Sequence, residues 1–301
     1  MNFPSPQSIL SLTQTQPLLS SLDDVKAFVR ESIDDQPKPF FAAFNVSDND
    51  VETVYDFLQA RQYRNVRISC SDIHNVTLRY MPTEAHEVAV QHLTHAIISS
   101  VCHSNRLPST FDFFDSIKVT GATTIFLDKP QKLFKEPDQS FMSRIEGRRQ
   151  YPLVVIEVGV PENMPQLKAD ASHWLLHTTV NMVIAMAIGP EAPTPDQNGR
   201  RTPLLQLCHY EKRAVDPSKM QPGRATTELV TTLDVKWTDD EAISDHSIPG
   251  CHFFVEGTSE YQAFATGDHP LVIKREVVLA LCNDIRESWR DDWDRLGSGH
   301  D

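Results

Sequence analysis

From Leu153 to Val158 the chain reads Leu-Val-Val-Ile-Glu-Val, apolar on both faces of a strand, with one carboxylate, Glu157, near its tail. A strand of that kind has to be covered on both sides, which puts it in the middle of a sheet beneath helices. Nineteen residues before Glu157 stands Asp138, within Lys135-Glu136-Pro137-Asp138-Gln139-Ser140-Phe141 on the preceding predicted strand. Apposed carboxylates repel unless a proton or a cation lies between them. Two acids on adjacent central strands therefore predict a divalent-metal site, with the two carboxylates about 4 to 6 Å apart.

The 301 residues, 40% of them hydrophobic, allow one large domain or one domain with additions. Residues 1–20 carry no charge, are rich in Ser, Gln, Thr and Pro, and lack the basic start and continuous apolar core of a signal peptide, so they read as a loose leader. No run approaches the roughly 18 apolar residues that a membrane span needs, and a soluble chain is expected. Cys70, Cys102, Cys208, Cys251 and Cys282 are odd in number and include no C-x-x-C spacing, which predicts reduced thiols in an intracellular compartment, cytoplasmic or nuclear.

Net charge is −13, and its distribution carries more than its sum. Residues 21–60 hold nine acids against three bases and residues 234–301 fifteen against six, two acidic segments suited to a protein partner. From Lys129 to Arg149 six bases face three acids, and from Asn198 to Arg224 six face two, so a local basic rim remains for a phosphate backbone that the bulk charge repels.

Periodicity and end signals predict helices over 22–33, 50–60, 83–101, about 164–175 and 274–293. Strands are expected over 66–69 and 76–80 as a hairpin, then over 117–120, 123–127, 137–142, 153–158, 180–188, 204–210, 228–237 and 252–256, with a Pro-rich and Gly-rich loop from 189 to 203. The expected organisation is a leader (1–20), N-terminal helices and hairpin packed on the core (21–82), an α/β core (83–190), and a C-terminal extension of the same domain (191–301).

The succession K-E-P-D-Q-S-F, Y-P-L-V-V-I-E-V-G-V, L-K-A-D-A-S-H-W-L-L, over about residues 83–190, resembles the PD-(D/E)XK nuclease superfamily and within it a group of largely fungal, mostly uncharacterised proteins. The resemblance implies a core of helix, three strands, helix and strand, with a mixed central sheet flanked by helices and with N-terminal helical and C-terminal β/α additions. It implies Mg²⁺ or Mn²⁺ held by Asp138, Glu157 and the backbone carbonyl of Val158, and hydrolysis of nucleic-acid phosphodiesters by a metal-activated water. The superfamily places a Lys two residues after the Glu; here that position is Gly159. Some members carry the cation on the next helix, where Lys168 is the one Lys, and a first-helix acid often completes the site, with Glu87, or failing that Glu84, as the candidate.

Other constellations fail. His173 and His177 have zinc-pair spacing, but Trp174 stands where H-E-x-x-H requires Glu. His86, His92 and His95 on one predicted helix read as core or solvent histidines, and no G-x-S-x-G, Walker A or G-x-G-x-x-G occurs. Two functional classes follow: a metal-dependent nuclease, and a nuclease-fold protein without catalysis that serves as a binding or interaction module.

Overall fold

The computed structural model describes residues 21–33, 40–59, 63, 66–72, 75–80, 83–121, 124–128, 133–145, 151–160, 164–191, 202–214, 227–237, 240, 242–265 and 270–297. The leader 1–20, most of the loop 189–203, and the bases Lys129, Lys132, Arg148 and Arg149 lie outside these residues. The chain divides into two compact units, Met1–Thr83 with Ala122–Glu136, and Glu84–Gly121 with Pro137–Asp301.

The first unit contains α1 (Leu22–Ile33), β1 (Phe40–Asn45), α2 (Asp48–Leu58), β2 (Val66–Asp72), β3 (Asn75–Tyr80), β5 (Ile125–Asp128) and β6 (Leu133–Lys135); β4 belongs to the second unit. Its five strands form an antiparallel sheet in the order β1-β3-β2-β6-β5. Alternation decides which face is covered: Val66, Ile68 and Cys70 on β2 and Val76, Leu78 and Tyr80 on β3 are buried at every second position. Val51, Val54 and Leu58 form the buried stripe of α2, and Val25 and Val29 that of α1. Glu136 closes this unit, buried, accepting from the Thr124 hydroxyl (2.6 Å) and the Ile68 amide (3.4 Å). Burial pushes its carboxyl pKa up, against those bonds and the nearby Arg67 and Arg79.

The second unit is a mixed sheet flanked by helices. Its elements are α3 (Glu84–Cys102), α4 (Phe113–Ser116), β4 (Ile117–Thr120), β7 (Gln139–Ser143), β8 (Val154–Gly159), α5 (Met164–His177), β9 (Met182–Glu191), β10 (Pro203–Ala214), β11 (Thr227–Trp237), β12 (His246–Ile248), α6 (Ser259–Ala265), β13 (Leu271–Ile273) and α7 (Arg275–Gly297). Six strands lie in the order β11-β10-β9-β8-β7-β4, all neighbours antiparallel except β8 and β9. Parallel neighbours need a crossover, and α5 supplies it, laying Leu167, Ala171, Trp174 and Leu175 on the sheet. Every residue of β8 is buried, the outcome its two-faced apolar sequence dictates. The helix α3 buries Ala85, His86, Ala89, Val90, Leu93 and Ile97 and packs on α7, whose Asp292 carboxylate accepts the Ala85 N–H at the α3 N-terminus (3.0 Å).

Sequence patterning differs from the structure in particular places. The segment predicted as a strand over 252–256 is a 3₁₀ turn, Gly250–Phe253, followed by coil, because Phe253 and Phe254 are held as ring partners rather than as an alternating pair. The sequence pattern does not anticipate β1, α4, β6, β12, α6 and β13; three of them are only three residues long and carry no period to read. Asp138 stands one residue ahead of β7 rather than within it.

Candidate active site

The ladder between β7 and β8 pairs Gln139 with Ile156, Ser140 with Val155 and Phe141 with Val154. One step further along that register Asp138 falls opposite Glu157, where the backbone of β7 has already left the ladder. The Asp138 side chain takes up the acceptor role that a strand carbonyl would have had there: its Oδ2 accepts the Val158 N–H at 2.7 Å. Pro137 cannot donate to a ladder, which is consistent with β7 starting after it. Asp138 is 4% exposed, and the Nε2 of His86 on α3 lies 3.4 Å from the same Oδ2.

Glu157 is 0% exposed. Its Oε1 accepts the indole N–H of Trp174, on α5, at 2.6 Å. Trp174 sits in the third turn of its helix, and helical side chains lean toward the N-terminus, which is how a residue ten positions after Met164 reaches the C-terminal half of β8. The two acids are thus held by different helices, Asp138 with His86 of α3 and Glu157 with Trp174 of α5.

The remaining candidates are placed as follows. Gly159 is the buried last residue of β8 and offers no side chain. Lys168 is exposed on α5, and its carbonyl accepts the Ser172 hydroxyl at 2.9 Å. Glu87 is exposed, with Oε1 3.4 Å from the His86 Nδ1, and Glu84 is exposed at the start of α3. Val158 contributes its N–H to Asp138, and it is this group, rather than its carbonyl, that is tied to the acid. Beside the pair, the hydroxyls of Ser140 and Thr120 meet at 2.6 Å in the β4–β7 layer.

Mg²⁺ retains several waters and takes its few protein ligands as carboxylates. Among the described residues no three His, Cys, Asp or Glu side chains come together as a metal would need, so Glu157 is not gathered with His86 and Asp138 into one donor set. One Glu157 oxygen serves the Trp174 indole and one Asp138 oxygen serves the Val158 amide, inside a region where Glu157 meets no solvent. Each acid thus already serves one donor of the chain itself.

Two residues carry this site that sequence reasoning left without a role. The sequence places Trp174 in L-K-A-D-A-S-H-W-L-L without pointing to its partner, and His86 reads there as a core or solvent histidine. Both had a readable sign. His86 shares a stripe with Ala89, Val90, Leu93 and Ile97, and a histidine on a buried face needs a hydrogen-bonding or ionic neighbour. No family model matches the chain, and no curated protein is similar to it.

Proposed function

We propose that this chain is a PD-(D/E)XK-type protein that has kept the positions of the acid pair while losing metal-assisted hydrolysis, and that it works as a binding module. Support for the fold assignment comes from the element order: α3, β4, β7, β8, α5 and β9 follow the helix, three strands, helix, strand succession, with β8 and β9 parallel. The observation that carries the non-catalytic reading is the Trp174 to Glu157 bond, since it commits one oxygen of a carboxylate at 0% exposure to an internal donor, away from the solvent that metal-bound water would come from. Gly159 and the exposed Lys168 support it, because neither supplies the fixed positive charge that the chemistry uses beside the scissile phosphate.

A second reading, a Mg²⁺-dependent nuclease, is favoured by one observation: the register that sets Asp138 across from Glu157. A cleavage assay separates the two. Supercoiled plasmid, single-stranded DNA and single-stranded RNA are incubated with the protein and Mg²⁺ or Mn²⁺, with Glu157→Gln as the control. The expected result is no cleavage above that control. Metal-dependent cleavage that disappears in Glu157→Gln would replace the binding-module reading by the nuclease.

A further inference from the structure

The helix α5 turns one face to the sheet and leaves another outside. Leu167, Ala171, Trp174 and Leu175 take the sheet side, and Trp174 gives its indole N–H to Glu157 there. His173 and His177 follow a different line, His173 half-buried and His177 exposed in the last turn. Because Trp174 stands where H-E-x-x-H needs its glutamate, the pair has no general base beside it. Metal chelation does not require one.

Positions four apart on a helix are neighbours, one turn above the other, with Cβ atoms about 5 to 6 Å apart. Here the two imidazoles stand with ring centroids 5.8 Å apart and planes at 85°. Nitrogen–zinc bonds of about 2.0 to 2.1 Å put two imidazoles that share one ion about 5 to 6 Å apart, centroid to centroid. The rings thus already have the spacing of a shared metal, and binding asks for side-chain rotation rather than movement of the helix. The donors select the ion: imidazole nitrogens suit zinc and its neighbours among the divalent transition metals, whereas Mg²⁺ and Ca²⁺ take oxygen ligands. Asp170 lies one turn before His173, but among the described residues no third His, Cys, Asp or Glu is gathered with the pair. Zinc held by two nitrogens keeps the rest of its tetrahedral positions for water or an incoming ligand, which makes such a site open and exchangeable rather than structural.

We propose that His173 and His177 form an open zinc-binding clamp on the outer side of α5. The clamp is independent of the acid pair, since Trp174 reaches Glu157 from the sheet side of the same helix, and it stands whether or not Asp138 and Glu157 hold a metal. The test is calorimetric titration of Zn²⁺ into the full chain in a buffer that does not chelate the ion. Cys102→Ser serves as the background, because an exposed thiol also takes zinc. One-to-one binding is expected, weakened at least tenfold by His173→Ala and by His177→Ala. It should be unchanged by His92→Ala, a histidine of α3 whose partner is Asp284 at 3.2 Å, and by a tenfold excess of Mg²⁺. Neither substituted side chain faces the sheet, so these variants keep the fold, and an unchanged near-ultraviolet circular dichroism spectrum verifies it. The proposal is overturned by absence of a one-to-one isotherm up to about 1 mM Zn²⁺, or by binding that persists when His173→Ala and His177→Ala are combined. Binding kept in that double variant but lost in Glu157→Gln would overturn it in favour of the acid pair as the zinc site.

Discussion

Trp174 donates to Glu157 in a core where neither side chain has any exposed surface, so the indole N–H would be left unsatisfied without the carboxylate, and Glu157 Oε1 would lose this bond without the indole. Removing one partner of a buried hydrogen bond costs about 1 to 3 kcal/mol, whereas replacing both by apolar groups of similar shape approaches neutrality. Trp174→Phe should therefore destabilise by about that amount, beyond its loss of packing. The pair Trp174→Phe with Glu157→Leu should recover part of it, and Glu157→Gln, which keeps an acceptor oxygen, should cost less than about 1 kcal/mol. Urea denaturation of the four proteins checks this; a Glu157→Gln more damaging than Trp174→Phe would contradict it. At this scale the sequence announced the acids through P-D and the apolar run, but not what holds them. Lys168 was considered for a role that needs an inward side chain, and its exposure on α5 comes from a helical phase in which Leu167 and Ala171 take the sheet-facing positions. The five cysteines match the reduced reading in that none is bonded, and Cys70, Cys208 and Cys282 are buried. Burial pushes the Cys282 thiol up to about 12 and the Cys208 thiol up to about 11. Alkylation near pH 8 should thus modify the exposed Cys102 well before either.

Between elements, β10 and β12 meet through two histidines whose Nε2 atoms are 3.1 Å apart, His209 at 1% exposure and His246 at 5%. Trp237 of β11 faces His246 edge-on, and the neighbouring His252 pairs with Glu211 at 3.4 Å. Burial, then the neighbouring His246 and His252, hold His209 down at about 3, and burial holds His246 at about 4, both from an ordinary 6.5. In the unfolded chain these imidazoles take protons below about pH 6.5, while in the folded chain they remain neutral, so the unfolded state binds more protons across that window. Stability should be fully present above about pH 6.5 and fall as pH drops toward 4. Denaturation curves from pH 8 to pH 4 on the protein and on His246→Phe test it, since the variant should lose much of the slope; an identical slope would assign the acid lability elsewhere. The sequence predicted β8, β9, α3, α5 and α7 within a few residues because each repeats a clear period or a continuous apolar run. It was silent on β12 and on the histidine junction, because a three-residue strand has no period and contacts 37 residues apart leave no local trace.

For the whole molecule, charge and the acid pair point the same way. Of the six bases between Lys129 and Arg149, Lys135 is buried and Arg144 exposed, and the other four lie outside the described residues. Against a net −13, binding to a labelled 20-base oligonucleotide should be weak and should fall steeply between about 50 and 200 mM salt. Affinity that survives that change would mean that contacts other than charge neutralisation carry the binding. No helix among the described residues is long and apolar enough to cross a membrane. The measurement that bears most directly on the acid pair is calorimetric titration of Mg²⁺, then Mn²⁺, into the protein and into Glu157→Gln. With Glu157 held by Trp174 and Asp138 by Val158 and His86, both titrations should match the heat of dilution into the low millimolar range, and the two proteins should be indistinguishable. A one-to-one binding isotherm present in the unaltered chain and absent from Glu157→Gln would mean that the carboxylates hold a metal after all.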